Sequence, residues 1–366
     1  MKQVKKPNPT QQLLTVAGRR IMFSGALALA LSTQAQIAVT NVTYGTLVNN
    51  ADSIQGGLTF REQYAPVNTV TTSLGDYRFD GPVASNIFVR RNVSGTGPNN
   101  TTVIYQTSGS TSTAPLGQYA SSVQNMFLSN NLYEGLRNPF ANGAGAQNSN
   151  IERLDFYYAG GYTVQANDSL VFFDLENTGN FGDGFRIAAF TAVDGAGDLD
   201  AGTAGTPTTY ANTGLLVAAD SFGGPINSPT GGTTGNFERA TYTSGDNLSG
   251  TASSVTNIGS GLNLVGILIR FADLGIAAGT TIQGFSLMAG DTVPVSAANL
   301  VNWNNVAYYP TNTSATATGN MDFMGFGATI SRPVPEPSTY GAIFVGLSAL
   351  FFGWRRYRRG VNAPAV

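Results

Sequence analysis

The sequence contains no cysteine and no histidine, and charged residues make up only 11% of its 366 positions. The absence of both residue types excludes a disulfide framework and metal sites built from Cys or His. Lysine is confined to Lys2, Lys5 and Lys6. The common pairs of a nucleophile and a base are therefore missing from the rest of the chain, and any catalysis there would depend on carboxylates.

The remaining charges are unevenly distributed. Between Gln36 and Arg332 there are 20 acidic residues and 10 arginines, which gives this stretch a net charge of about −10. This balance argues against nucleic acid as a partner, because binding to phosphates requires a basic surface. An acidic stretch without lysine is compatible with a polysaccharide or a divalent-cation environment, and it identifies neither.

The N-terminus has the three parts of a secretory signal: a basic flank, an apolar run over Ile21–Leu31, and small residues, Thr33 and Ala35, at the third and first positions before the predicted cleavage. As a helix this run would be only about 16 Å long, too short for a permanent anchor. We predict a signal peptide at residues 1–35 that is cleaved after Ala35. The pair Arg19-Arg20 also resembles a twin-arginine signal, so the export route, Sec or twin-arginine, stays open.

Residues 36–332 are predicted to form an all-β body. In Arg153–Tyr158 and Phe185–Phe190 apolar side chains recur at every second position, and Gly-, Asn- and Asp-rich turn clusters separate such runs. We predict a β-sandwich of jelly-roll or lectin-like architecture. The predicted strands are Ile87–Arg91, Thr102–Gln106, Arg153–Tyr158, Leu170–Leu175, Phe185–Val193, Leu262–Phe271 and Thr281–Met288.

Three stretches do not fit this strand pattern. Ala120–Leu136 has the spacing of a short helix. Gly95–Thr113 and the Gly-, Thr- and Ser-rich stretch Ala201–Gly235 predict long loops or a boundary within the body.

Carboxylates are the candidates for catalysis that remain. Asp174 and Glu176 would share one face of a strand at a separation that suits glycoside hydrolysis, and Glu152 with Asp155 is a second pair. A chain with 20 acids between Gln36 and Arg332 produces such pairs by chance. We therefore interpret them as solvated groups at strand ends and predict a protein that is not an enzyme, with no catalytic residue.

Asp194, Asp198 and Asp200 lie in a Gly-rich loop and are candidate calcium ligands. Their spacing lacks the regular ligand order and the distal Glu of an EF-hand loop. We predict no cofactor, with calcium at these residues as the alternative.

An aromatic cluster, Trp303 with Tyr308 and Tyr309, lies near the end of the body. Exposed aromatic rings can stack on sugars, but aromatic side chains of a β-rich protein also fill strands and sheet edges. We favour packing, and we keep an anchored carbohydrate-binding, lectin-like module as the alternative function.

The C-terminal tail, residues 333–360, combines three parts in a fixed order. Pro335-Glu336-Pro337 keeps the chain extended, because proline fixes φ and disfavours helix in the residue before it. The uncharged run Tyr340–Trp354 follows, and we predict a single transmembrane helix at about residues 338–354. Its end would be held on the cytoplasmic side by a cluster of arginines, namely Arg355, Arg356, Arg358 and Arg359.

This ordered set resembles the PEP-CTERM sorting domain, which membrane enzymes of the exosortase family recognise. The resemblance implies that Pro335, Glu336 and Pro337 are recognition residues and that an exosortase-type enzyme cleaves the chain near them. It further implies a Gram-negative type of envelope protein, held at the cytoplasmic membrane and then transferred to the cell surface or an exopolysaccharide matrix. The sequence thus predicts an exported, non-enzymatic surface or matrix protein.

Overall fold

The computed structural model describes residues 36–49, 53–55, 58–60, 63–91, 101–107, 128, 130–132, 134–142, 151–177, 182–195, 205–229, 234–244, 250–313, 321–324, 327–335 and 337–361. Among the described residues the structure is mostly β-sheet, which confirms the prediction of a mostly β fold. The predicted signal peptide, residues 1–35 with Ala35, lies outside the described residues and stays a prediction.

Each of the seven predicted strands is present. The strands in chain order are β1 (Ile37–Tyr44), β2 (Val48–Asn49), β3 (Ser53–Gln55), β4 (Leu58–Phe60), β5 (Gln63–Thr72), β6 (Gly75–Arg78), β7 (Asn86–Arg91), β8 (Thr101–Thr107), β9 (Asn131–Leu132), β10 (Glu134–Arg137), β11 (Ile151–Thr163), β12 (Ser169–Asn177), β13 (Phe185–Val193), β14 (Pro207–Tyr210), β15 (Leu215–Val217), β16 (Thr234–Ser244), β17 (Gly250–Arg270), β18 (Thr281–Ala289), β19 (Phe323–Met324) and β20 (Arg332–Pro333). A 3-10 helix covers Ala297–Leu300, and the α-helix α1 covers Pro337–Val361.

The strands form two large antiparallel sheets and a separate β3–β4 pair. The larger sheet has the order β12-β19-β10-β8-β16-β17-β1-β5-β6-β20, with β2 and β9 paired to β5. Because β12 also pairs with β17, the strand pairing closes on itself and the sheet curls. The smaller sheet has the order β14-β13-β18-β11-β7, with β15 paired to β13.

The principal hydrophobic core lies between these two sheets. Phe172 of β12 packs against Phe185 of β13 and Phe285 of β18, with ring centroids 5.4 and 6.2 Å apart. A Cβ at Gly284 would lie only 1.9 Å from the carbonyl oxygen of Phe156, so glycine is required where β18 approaches β11. The two sheets thus pack face to face, while a jelly-roll or lectin-like topology stays a prediction.

A second core covers the opposite face of the larger sheet. Val171 and Phe173 of β12 pack there with Leu264 and Leu268 of β17, whereas Phe172 faces the principal core. β12 and the stretch Leu264–Ile269 of β17 are therefore buried on both faces, which explains their nearly continuous apolar sequences. The same burial extends to Asp174, which interrupts the apolar run of β12.

Two predictions about irregular stretches are wrong. The C-terminal part of the predicted helix Ala120–Leu136 forms β9 and β10, because these segments pair with neighbouring strands of the larger sheet. Leu132 and Leu136, four residues apart, fit a helical spacing, yet each is buried in a different core. The predicted loop Ala201–Gly235 contains β14, β15 and the start of β16, whereas the described part of Gly95–Thr113 is β8, which matches the strand predicted at Thr102–Gln106.

The last part of the body is the C-terminal edge segment, residues 327–334, which includes β20. Ala328, Ile330 and Ser331 are fully buried, and α1 begins three residues after Val334. α1 spans the predicted tail helix and the four arginines of the tail. Within the described part of the chain, no helix combines the length and the apolarity that crossing a membrane requires.

Candidate functional site

Carboxylates converge inside the body at the end of β12. Asp174 and Glu176 approach each other as the sequence predicts, and Asp183 joins them, so that one oxygen of each lies within 4.8 Å of the others. Asp174 is fully buried, and it accepts hydrogen bonds from the backbone N–H groups of Leu175 and Asp183 at 2.8 and 2.7 Å. The three side chains form a compact carboxylate cluster, which we call the β12 acid cluster.

Burial raises the pKa of Asp174 well above its usual range. The nearby carboxylates raise that pKa further, in the order Asp183, Asp322 and Glu176. Burial, followed by repulsion from neighbouring carboxylates, also raises the pKa of Asp183 to about 8. Either protons or a hard cation such as Ca²⁺, which prefers carboxylate oxygens, can relieve this repulsion.

Sequence reasoning found only part of this cluster. It missed Asp183, and it missed Asp322, which lies near Asp174 outside the cluster, because both approach Asp174 only in the folded chain. Asp322 is held there by the backbone N–H of Asn138, which donates to its Oδ1 at 2.8 Å. The interpretation of four acids as solvated groups at strand ends is also wrong, since all are buried: Glu152, Asp155, Asp174 and Glu176.

We expect the free energy of unfolding to fall as the pH rises from about 4 to about 8. In the folded protein the pKa of Asp183 is about 8, far above its ordinary value, so the folded state keeps a proton that the unfolded state has lost. This contribution to stability is complete below about pH 4 and is lost as the pH passes the folded pKa, by up to roughly 1.4 kcal/mol per pH unit. Asp183→Asn should flatten the dependence, as measured by urea unfolding at pH values of about 5, 7 and 9.

The flattening should be partial, because burial also raises the pKa of Asp174 well above its usual range and that of Glu152 to about 8. Exposed Asp80 provides the matched control, and Asp80→Asn should leave the pH dependence unchanged. EDTA is required throughout, since a divalent cation bound to the β12 acid cluster would replace the protons. An identical pH dependence in wild type and Asp183→Asn would contradict the prediction.

A second set of buried charges lies on the face of β11 that points away from the principal core. Asp155 accepts hydrogen bonds from Arg153 Nε at 2.6 Å, Arg153 Nη2 at 3.0 Å, Arg90 Nε at 2.8 Å and Ser286 Oγ at 2.6 Å. Arg153 Nη1 also donates to the carbonyl oxygen of Val301 at 3.2 Å. This arginine–aspartate network therefore ties β7, β11 and β18 to the segment that follows the 3-10 helix.

Burial alone would raise the pKa of Asp155, but the guanidinium groups of Arg153 and Arg90 outweigh it and hold that pKa below its usual range. The side chains of Arg153 and Asp155 are completely shielded from solvent. The carboxylate thus stays ionised with its acceptor positions occupied. Such a closed, inaccessible network suits a structural role.

The aromatic cluster packs on this network. The ring of Trp303 lies 5.3 Å from the guanidinium carbon of Arg90 and 5.4 Å from that of Arg153. Tyr309 is buried, and its hydroxyl donates to the carbonyl oxygen of Leu300 at 2.9 Å. These contacts agree with the packing interpretation, and the carbohydrate-binding alternative stays a prediction.

Of the candidate calcium ligands, the structure describes Asp194. Its Oδ1 accepts a hydrogen bond from the backbone N–H of Thr206 at 2.8 Å, and its own N–H donates to the carbonyl oxygen of Thr206 at 2.9 Å. These bonds give the carboxylate a local structural role between β13 and β14. Asp198 and Asp200 lie outside the described residues.

The tail helix α1 exposes its apolar side chains. With 3.6 residues per turn, these side chains are spread around more than half of the helix circumference. Pro335 precedes α1 and is half-buried, while Glu336 lies outside the described residues. Eight apolar residues of α1 are more than half exposed, namely Ile343, Phe344, Val345, Leu347, Leu350, Phe351, Phe352 and Trp354.

In the comparison with known proteins, the tail is the part of the chain that matches a family model. Residues 333–359 match the PEP-CTERM protein-sorting motif, and no curated protein is significantly similar in sequence. A crystal structure of the Emp47p carbohydrate recognition domain is 12% identical and covers 57% of this chain and 96% of its own. Its TM-score of 0.14 is too low to support an argument about fold or ligand. The resemblance seen in the sequence is therefore confirmed, and the C-terminal tail of this chain is a PEP-CTERM protein-sorting motif.

Proposed function

We propose that this chain is an exported, non-enzymatic surface or matrix protein that an exosortase-type membrane enzyme sorts through its tail. The observation that carries the proposal is the sorting motif at residues 333–359, joined to a helix whose apolar side chains are exposed. The signal peptide brings the chain to the cytoplasmic membrane. There α1 inserts over about residues 338–354, and its arginine cluster stays on the cytoplasmic side.

The insertion of α1 in the membrane is temporary. The uncharged run Tyr340–Trp354 is shorter than the roughly 20 apolar residues that span a bilayer. Aromatic ends, arginine side chains that reach the interface and local thinning of the bilayer compensate for part of the difference. A helix inserted in this way stays in the membrane for the time that recognition takes, and it is bound weakly enough to be released.

The enzyme recognises Pro335, Glu336 and Pro337 and separates the body from α1 near them. Two prolines disfavour helix at this point, so the backbone between the body and α1 stays extended for recognition. The body then reaches the cell surface or an exopolysaccharide matrix. Its acidic, lysine-free composition is compatible with that destination and argues against a nucleic-acid partner.

The surface-associated protein is expected to end close to Pro335-Glu336-Pro337 and to lack α1. Mass spectrometry of its C-terminal peptide measures this directly, and the same protein from a strain without an exosortase-type enzyme is the control. In that strain the C-terminal peptide should extend through Arg359. A surface-associated protein that retains Arg359 in both strains would contradict the proposed cleavage, and α1 would then be a permanent anchor.

The body acts without catalysis. Glycoside hydrolysis needs one protonated and one ionised carboxylate that both reach the sugar. Asp174 and Glu176 are buried, and Asp155 is held in ion pairs with two arginines. Release of reducing sugar from a polysaccharide by the wild type, and its loss in Glu176→Gln, would contradict a non-enzymatic role.

A further inference from the structure

The sorting motif begins inside the folded body. Its first residue, Pro333, belongs to β20 and pairs with Tyr77 of β6 at the edge of the larger sheet. The next residue, Val334, donates its backbone N–H to the carbonyl oxygen of Asp76 at 2.7 Å. Only Pro335 and Glu336 then separate this hydrogen bond from α1. The recognition residues thus follow the sheet without a linker.

The edge segment that leads into the motif is firmly attached to the body. Ser331 exchanges two backbone hydrogen bonds with Ser169, at 2.8 and 3.0 Å. Ile330 is fully buried, and its N–H donates to the carbonyl oxygen of Pro82 at 3.0 Å. Up to Ser331, separation from the body would expose buried apolar surface and break buried hydrogen bonds, which makes it costly.

Beyond Ser331 the chain is attached to the body more weakly, because the contacts there are partly exposed. Arg332 Nε donates to Asp168 Oδ1 at 2.9 Å, and Arg332 Nη2 donates to the hydroxyl of Tyr162 at 3.0 Å. The Arg332 side chain is partly exposed. With the two-residue strand β20, these contacts form what we call the edge latch, which consists of the β20–β6 pairing and the Arg332–Asp168 ion pair.

We propose that the edge latch controls access of the sorting enzyme to the motif, so that processing requires Arg332, Pro333 and Val334 to separate from β6. This inference rests on the proposed function. An enzyme must surround the segment it recognises, and a segment held in a sheet becomes accessible through local opening. A short edge strand that contains proline opens more readily than the buried chain before it. The edge latch therefore makes processing depend on the separation of β20 from β6.

The cysteine-free sequence allows a direct test. Arg78 and Arg332 are cross-strand partners, and the Cα separation of such antiparallel pairs suits a disulfide. The full-length variant Arg78→Cys/Arg332→Cys is oxidised, freed of oxidant, and incubated with membranes that contain the exosortase-type enzyme. We expect processing to fall by roughly tenfold or more in the oxidised form relative to the reduced form.

The reduced form of the same variant is the first control, because it lacks the same arginines. Thr43→Cys/Thr69→Cys is the second, since these residues are cross-strand partners of β1 and β5 and their hydroxyls lie 2.6 Å apart. Its oxidation should leave processing unchanged. A flexible linker of about eight residues inserted after Val334 should restore processing to the oxidised latch variant, because the motif can then be reached with β20 in place.

Equal processing of the oxidised and reduced latch variants would overturn the edge latch and leave the proposed function intact. Slow processing that the linker does not restore would also overturn it, since the disulfide would then act elsewhere. If the wild type is not processed by membranes that process another tailed substrate, the proposed function fails and the latch fails with it.

Discussion

Asp155→Asn is expected to lower the free energy of unfolding by about 3 to 5 kcal/mol. The substitution keeps the size of the side chain and removes the charge that Arg153 and Arg90 share. Arg153 cannot regain its hydration without opening the body, because its side chain is completely shielded from solvent. Two buried or partly buried guanidinium groups would thus lose their counter-charge at once. Urea unfolding of the full chain in mild detergent, followed by circular dichroism, measures the loss.

The matched control is the ion pair between Arg78 and Asp80, whose side chains are 50% and 38% exposed. Water and salt screen such a pair, so Asp80→Asn should change stability by no more than about 1 kcal/mol. A loss of similar size in Asp155→Asn would show that the arginine–aspartate network contributes little. The structural role assigned to it would then be wrong.

Replacement of Pro335, Glu336 and Pro337 by alanine is expected to remove most of the surface-associated protein. The loss of two prolines removes the fixed φ angles and lets the alanines continue α1 toward the body. The extended segment that the enzyme recognises would then become helical. The full-length chain should accumulate in the membrane fraction, as cell fractionation and mass spectrometry of the C-terminal peptide would reveal.

Pro364→Ala is the control for this experiment, because Pro364 lies beyond the residues that match the sorting motif. This variant should reach the surface as the wild type does. If the triple-alanine variant also reaches the surface with the wild-type C-terminus, these three residues are not the recognition element.

The parts of the fold that the sequence predicted are those in which a local pattern decides the structure. β11 and β13 alternate apolar residues at period two, and the uncharged run Tyr340–Trp354, with prolines before it and arginines after it, lies within α1. Pairing partners decide other parts. Leu132 and Leu136 fit a helix by spacing, but hydrogen bonds to distant strands place them in β9 and β10.

The same difference applies to the candidate sites. Asp174 and Glu176 are two positions apart on one strand, so their proximity followed from the sequence. Asp183 and Asp322 come near them only in the folded chain, and no local sequence pattern predicts this proximity. For Arg153 and Asp155, alternation on β11 predicted one apolar face. It could not predict that the covering segment around Leu300 would bury the charged face as well.

The edge segment also limits where the chain can be divided without damage to the product. A cut on the helix side of Val334 leaves a body that keeps Ile330, Ser331 and the complete edge of its larger sheet. A cut before Ile330 would remove a fully buried side chain and leave the neighbouring backbone groups of Gly81 and Pro82 without their partner. We therefore expect the released body to keep its fold when the cleavage site lies after residue 334.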